Sequence, residues 1–520
     1  MNRSTQPAKL RTALMTACGI LWLAAFPLLQ GGSYSHITHD KWQAALYLTA
    51  ITAALALTGI VLSLLNREKR ADLRRGPRAW APALLLFGWI ALSALCSPFR
   101  EHVNTGGNLA GARTVWLGAR RYEGLATQLC YLAIFLCMTL GPARFRWVSR
   151  AAAAAMLLFT GTVLLQYAGV NVLELFPEGL SVRTNYEFQG TIGNIDMVSG
   201  YCTLIMGLTL GGFLGGKKPD WLLYAGGLCA VLLICCIEVQ SGLVALLAGA
   251  VLLLGCMLFL PGLRFRGWLT LGGAAAMALA RSCVAFPWLD GTADIAPAPM
   301  GMKQGLLLIL LGICVACAAL RRLRPGKSPG AGKGAALLAA ALILCLAVLL
   351  LLPLNESHGG LWEIQQTLLG RPQDSFGSWR LGVWRVTLEM ARENLWLGTG
   401  PDTFWYSFNP RWAKLEASLW ESGALSPDVR LERFDAPHNE YLAYLANNGL
   451  PAVLFCLVLL ASALALGICG AKARPERWGL PAAALLFAVQ AFFSFSIAIV
   501  NPMYWAVLGM NAAAGMEDPC

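Results

Sequence analysis

Long apolar segments, repeated along almost the whole chain, limit this sequence to one kind of fold. Hydrophobic residues make up 57% of the 520 residues and charged residues only 13%, which is far from the composition of a soluble domain. A segment of about 18 apolar residues is long enough to cross a bilayer as a helix. We therefore predict an all-α polytopic membrane protein with about 14 transmembrane helices (12–14). The predicted spans are 12–30, 42–65, 79–96, 122–140, 147–169, 197–214, 220–238, 241–260, 267–286, 302–320, 334–354, 438–469, 479–498 and 502–516.

Lysine and arginine residues are clustered in alternate short connections between these segments. The most basic connections are 66–78, after the second segment, and 321–334, after the tenth. Short basic loops stay on the cytoplasmic side of a membrane, so both termini are predicted to be cytoplasmic and the long polar segment 355–437 extracytoplasmic. The formal net charge of +12 therefore reflects topology in the plasma membrane, and we expect no nucleic-acid partner.

This topology divides the chain into three parts. Residues 1–354 form an N-terminal transmembrane bundle of about 11 spans, residues 355–437 form a large extracytoplasmic loop, and residues 438–520 contain about 3 more spans. Two helices are predicted within the loop, near 376–394 and 402–420, because a Gly-Thr-Gly turn and a proline separate two helical patterns there. The many tryptophans of the loop are typical of helices at a bilayer interface, and they also suit platforms that stack on sugars.

A histidine stands where the polar loop meets the next apolar segment. Pro437 precedes His438 and favours a helix that starts there, and Gly449 and Pro451 follow before a long apolar run. An imidazole in a hydrated, preorganised position is suited to general-base chemistry near neutral pH. The simpler interpretation is that His438 and Asn439 only cap the helix, and the residues alone leave both open.

Two further segments carry residues suited to binding phosphate. In 181–201 a glycine-rich turn with Asn194 and Asp196 opens a predicted span shortly after Arg183, and the N-terminus of a helix attracts anions. In 378–404 Arg380 and Arg385 lie on a predicted helix, and an arginine fork matches diphosphate oxygens. The alternatives are a plain turn with a helix cap, and a surface helix with ordinary ion pairs.

These three segments together resemble the O-antigen ligase and polymerase superfamily. The matching features are the G-x-x-G-N turn at 190–194, the arginine helix followed by G-x-G, and the His-Asn pair followed by Gly449. The resemblance covers most of the chain, with a core at about 181–460. Asp196 stands where an asparagine is common, and Trp384 stands where the family often has leucine.

The resemblance implies a C-type glycosyltransferase-like fold and a membrane glycosyltransferase of the O-antigen ligase type. It implies an undecaprenyl-diphosphate-linked glycan as donor, His438 as the catalytic residue, and diphosphate binding by Arg183, Arg380 and Arg385. Asn439, Gly449, Asn194 and Asp196 are then supporting residues. Direct attack by an acceptor hydroxyl would invert the anomeric carbon, and the glycan, lipid or protein acceptor is not identified. We expect no cofactor and no obligate metal, because no DxD-type carboxylate pair lies in a predicted outer loop.

Three functions are compatible with this sequence. The first is a ligase that moves a glycan to an acceptor in cell-envelope synthesis, and the second is a polymerase of polysaccharide repeat units from the same superfamily. The third, from another class, is a non-catalytic transporter or flippase of lipid-linked glycans. A transporter would be expected to carry charges deep in several spans, whereas Arg281 is the one charge well inside a predicted span.

Overall fold

The fold is almost entirely helical. The computed structural model describes residues 6–65, 76–141, 143–177, 180, 187–290, 292, 295–298, 301–323, 347, 350–356, 359–423, 425–426, 428–495 and 497–517. The longer helices are α1 (Gln6–Ile20, extended by the π-helical turn Leu21–Ala25 and by Phe26–Leu28), α2 (Ile37–Leu65), α3 (Gly76–Leu95), α4 (Leu125–Thr139), α5 (Phe145–Tyr167), α6 (Ile195–Gly215), α7 (Trp221–Ile237), α8 (Gln240–Phe259), α9 (Arg264–Cys283), α10 (Met302–Leu323), α11 (Gly360–Leu368), α12 (Arg380–Glu393), α13 (Phe404–Glu421), α14 (Glu440–Ala473), α15 (Gly479–Ala491) and α16 (Asn501–Glu517).

The prediction of an all-α membrane protein is confirmed. Among the described residues, seven helices are long and apolar enough to cross a membrane, and three shorter apolar helices accompany them. The predicted span 334–354 falls largely outside the described residues. The total of about 14 spans, the C-type glycosyltransferase-like arrangement and the three-part division of the chain stay predictions. The two helices predicted in the large loop correspond to α12 and α13.

Helix α6 lies at the centre of the bundle, with every residue from Met197 to Phe213 buried. It packs against α5, α7, α8 and α15. Small residues permit the close approach to α15, because a Cβ atom on Gly207 would lie 2.6 Å from the Cα atom of Ala483. Helices in a membrane gain packing energy in this way, since burial from lipid adds little hydrophobic free energy. Asp196, in the first turn of α6, is thereby placed at one end of a rigid central helix.

Very little of the described chain is extended. Strands β1 (Phe188–Gln189) and β2 (Gly193–Asn194) form an antiparallel pair just before α6, in the register Phe188 with Asn194. Strands β3 (Val284–Ala285) and β4 (Ala296–Pro297) form a second pair. The first hairpin turns through Gly190 and Gly193, which have φ angles of +55° and +88°, so the predicted glycine-rich turn is present.

Two basic residues within helices are held by local partners. Arg281 forms an ion pair with Asp290, with 2.8 Å between Nη2 and Oδ1. Lys41, in α2, is 1% exposed, and its Nζ donates to the carbonyl oxygens of Phe26 and Pro27 at 2.9 and 3.0 Å. Those carbonyls end the first helix, where a cation is favoured. Nearby groups of the chain therefore bind both charges. This finding gives no support to a transporter with a charged pathway.

Candidate active site around His438

Hydrogen bonds fix the backbone on both sides of His438. His438 has a φ angle of +50°, a left-handed conformation that is uncommon for residues other than glycine. Directly after it, the Asn439 side chain caps α14 by accepting a hydrogen bond of 3.0 Å from the backbone N–H of Leu442. Directly before it, the carbonyl oxygen of Pro437 accepts a hydrogen bond of 2.8 Å from Trp384 Nε1. Trp384, a departure from the family pattern, thus helps to position His438.

The His438 ring lies among aromatic residues and cationic groups. Its centroid is 5.0 Å from that of Phe495 and 6.0 Å from that of Phe434, in edge-to-face geometry. Burial lowers the pKa of His438 from 6.5 to about 3, and the charges of Arg121 and Arg380 act in the same direction, against Asp435. This shift differs from the expectation of an imidazole that titrates near neutral pH. His438 is half-buried, and the partial loss of water disfavours the charged form of its ring.

Arg380 lies at the first turn of α12 and faces the starts of two other helices. Its Nη1 donates a hydrogen bond of 2.7 Å to Gln240 Oε1 at the start of α8. Burial lowers the pKa of Arg380, while the nearby carboxylate of Asp196 opposes this effect. Asn194 caps α6 by accepting a hydrogen bond of 2.9 Å from the N–H of Asp196. The starts of α6 and α12 thus bring Asp196 close to Arg380, and the charge of Arg380 in turn acts on His438.

Arg385, another of the predicted arginines, binds acidic residues of its own. Arg385 forms ion pairs with Asp374 at 2.6 Å and with Glu389 at 3.0 Å on an exposed face of α12. The hydrogen bond to Asp374 raises the pKa of Arg385. Arg183 lies outside the described residues. The structure therefore favours Arg380 over Arg385 as a neighbour of His438, and it reproduces the surface ion pairs considered as the alternative for Arg385.

Arg121 is a site residue that the sequence analysis missed. It lies in the connection between α3 and α4, far from the other site residues in sequence, and forms an ion pair with Asp435. Its Cζ lies 3.4 Å from the centroid of Phe495, the same ring that His438 contacts. Burial acts to raise the pKa of Asp435, but Arg121 outweighs burial and holds that pKa below its ordinary value. The only available signal was a pair of adjacent arginines in a predicted outer connection.

One nitrogen of Arg121 has no hydrogen-bond partner in the described part of the chain. Nη1 is buried and has no hydrogen-bond partner among the described residues, whereas Nη2 binds Asp435. A buried donor without a partner is costly, so this nitrogen favours an incoming acceptor such as a phosphate oxygen. No three His, Cys, Asp or Glu side chains in the described part of the chain are arranged to hold a metal ion, and metal independence stays a prediction.

The Gly-Thr-Gly turn binds the kink of α14 through backbone groups. The N–H groups of Thr399 and Gly400 donate to the carbonyl oxygens of Ala446 and Asn447 at 3.1 and 2.7 Å. At the kink, Gly449 has a φ angle of +79°, and a Cβ atom there would overlap the carbonyl group of Trp396. Both motif segments therefore need glycine, because two backbone segments pack directly together. This contact fixes the large loop on the helix that begins after His438.

Comparison with known proteins identifies a family similarity in the segment that carries His438. The family model described as O-antigen ligase matches residues 300–457, which include α12, the Gly-Thr-Gly turn, His438 and Gly449. No curated protein matches the chain. The matched segment contains two of the three motifs that carried the resemblance. It also includes one candidate membrane span, Lys303–Leu320, and the first half of another, Glu440–Ala473. The chain is a multi-pass membrane protein whose residues 300–457 are similar to the O-antigen ligase family.

Proposed function

We propose that this protein is a glycosyltransferase that moves a glycan from an undecaprenyl-diphosphate carrier to an acceptor hydroxyl. The observation that carries the proposal is that His438 lies within the electrostatic reach of Arg121 and Arg380, and that Arg121 has a buried nitrogen without a partner among the described residues. This arrangement suits a reaction in which a diphosphate leaves while a hydroxyl group attacks. The supporting family comparison implies a lipid-linked glycan as substrate.

Arg121 and Arg380 bind the diphosphate in this proposal. Two cations beside the scissile sugar–phosphate bond stabilise the negative charge that develops on the leaving group. Arg183 and Arg385 are further diphosphate-binding candidates from the motif, with Arg385 second to Arg380 because acidic neighbours already neutralise it. The carboxylate of Asp196, in the first turn of α6, offsets part of the positive charge of Arg380. The side chains of Asn194 and Asn439 cap the starts of α6 and α14.

His438 accepts the proton of the acceptor hydroxyl in this proposal. In the free protein the imidazole is neutral, since burial and two arginines lower its pKa, so it can accept a hydrogen bond. A diphosphate bound between the arginines offsets their positive charge and raises the pKa of His438 toward the range useful for a general base. Donor binding thus prepares the base, and displacement by the acceptor inverts the anomeric carbon.

A repeat-unit polymerase is the second candidate within the superfamily. Ligase and polymerase differ in the acceptor, and none of the residues proposed here distinguishes one acceptor from another. In either case we place the reaction at the extracytoplasmic side of the plasma membrane, with residues 355–437 outside and both termini in the cytoplasm. The basic connections are the support for this orientation.

The test is transfer by the purified protein from a lipid-diphosphate-linked glycan isolated from the native host. His438→Ala should lower the rate about 10²- to 10⁴-fold, the usual contribution of a general base. His438→Gln keeps a hydrogen-bonding group but no useful base, so near-normal transfer by this variant would limit His438 to positioning the acceptor. His36→Ala, at an exposed histidine, is the control. Full transfer by His438→Ala would refute the proposed catalytic role.

A further inference from the structure

The loop that carries Arg121 is folded around one carboxylate of the large loop. Asp402 Oδ2 accepts hydrogen bonds from the backbone N–H groups of Ala119 at 2.8 Å, Arg121 at 3.3 Å and Glu123 at 3.3 Å. Asp402 is only 8% exposed. Converging backbone N–H groups form a binding site for an anion, and here the anion is supplied by the chain itself.

The conformation of this loop depends on the carboxylate. Gly118 and Tyr122 have φ angles of +104° and +61°, and Asp402 itself has a φ angle of +55°. Left-handed conformations of residues with side chains cost free energy and persist only where surrounding contacts impose them. A Cβ atom on Gly118 would overlap Asp402 Oδ2, so glycine at this position leaves room for the carboxylate.

Asp402 is itself held in place by the motif contacts described above. It follows the Gly-Thr-Gly turn, which is bound to the kink of α14. Ser97 at the end of α3 adds a hydrogen bond from its hydroxyl group to the carbonyl oxygen of Thr399. The large loop therefore presents a fixed carboxylate, and the segment from Gly118 to Glu123 takes its shape from that carboxylate.

We propose that Asp402 is a positioning residue for Arg121: its carboxylate gathers the backbone of the Gly118–Glu123 loop and thereby directs the Arg121 guanidinium to the diphosphate of the donor. The inference rests on the proposed function, because it assigns the lipid diphosphate as the ligand of Arg121. Asp402 acts through backbone N–H groups, whereas Asp435 and Phe495 contact the guanidinium itself. Removal of the Asp402 charge would release the Gly118–Glu123 loop, whereas Asp435 and Phe495, the direct partners of the guanidinium, would be unchanged.

The experiment measures binding of geranylgeranyl diphosphate, a short analogue of the leaving group, to the purified full-length protein in detergent. Asp402→Asn keeps the size of the side chain but removes the charge that three N–H groups share. We expect about tenfold weaker binding, the effect of losing one strong charged hydrogen bond. Asp428→Asn, at an exposed aspartate of the same large loop, should bind like wild type.

A double-mutant cycle separates positioning from general loss of structure. Arg121→Gln should weaken binding at least as much as Asp402→Asn, and adding Asp402→Asn to Arg121→Gln should cause no further loss. If Asp402→Asn does not fold, Gly118→Ala displaces the carboxylate from the other side and should give the same coupling. Additive losses, or a lower unfolding temperature with unchanged binding, would overturn the positioning role.

Failure of the two proposals can be told apart in the same measurement. If wild type binds geranylgeranyl diphosphate and Arg121→Gln weakens it while Asp402→Asn and Gly118→Ala do not, the donor site stands and the role of Asp402 is wrong. If wild type binds geranylgeranyl diphosphate no better than geranylgeraniol, the lipid-diphosphate function is itself wrong, and the role of Asp402 is refuted with it.

Discussion

His438 should make this protein less stable in mild acid. Burial, assisted by Arg121 and Arg380, lowers the pKa of His438 from 6.5 to about 3 in the folded protein. The unfolded chain binds a proton at this side chain near pH 6.5, whereas the folded chain does so only near pH 3. Between these values the unfolded state binds more protons, so the free energy of unfolding falls as the pH falls.

The size of the effect follows from the gap between the two pKa values. Each pH unit below about 6.5 costs about 1.4 kcal/mol until the folded pKa is approached. At about pH 5 the loss due to His438 alone is therefore about 2 kcal/mol, and above about pH 7 it is close to zero. A change of this size is a large fraction of the stability of most folded proteins.

The comparison that isolates this effect is wild type against His438→Gln at about pH 7.5 and about pH 5. Unfolding in mixed micelles of detergent and SDS can be followed by tryptophan fluorescence. Burial raises the pKa of Asp402 to about 6 and that of Glu123 well above its ordinary value. These two carboxyl groups therefore increase the free energy of unfolding as the pH falls, but they do so equally in wild type and in the variant. Wild type should lose about 2 kcal/mol more than the variant. Equal losses would mean that water reaches the imidazole and that the electrostatic reasoning is wrong.

Four further outcomes are expected. Gly449→Ala should destabilise the protein by more than about 1–2 kcal/mol, the cost of a left-handed residue with a side chain. Gly88→Ala should not, because no atom lies within 4 Å of a Cβ added there. Equal melting temperatures of the two variants would contradict this. Arg380→Lys should lower transfer about 10- to 100-fold through loss of the guanidinium fork, and Arg392→Lys should leave it unchanged; similar rates would remove Arg380 from the donor site. A cysteine at Ser375 should react with an impermeant maleimide in intact cells lacking native thiols, and protection would reverse the topology. Transfer should survive EDTA; loss of activity restored by Mg²⁺ would reveal a metal site.

Local features of the sequence predicted the helices and several of the site elements. Apolar length and turn residues are properties of short segments, and they located the helices of the bundle together with α12 and α13 of the large loop. The start of a helix after Pro437 was equally local, because proline acts on its own backbone. The kink at Gly449 was not predicted. The side chain of Arg380 could be singled out because it belongs to a short motif.

The tertiary structure decided which residues surround His438 and how it titrates. Arg121 and Phe495 come from distant parts of the chain, and no local pattern indicates that they meet the same imidazole. Arg385 resembles Arg380 in sequence, but the rotation of α12 turns it toward Asp374 and Glu389. The pKa of His438 depends on how much water the packed rings exclude and on charges contributed by other helices. Sequence thus determined the elements and the residue types, while packing determined their neighbours, because a pKa and a binding site are properties of groups brought together in space.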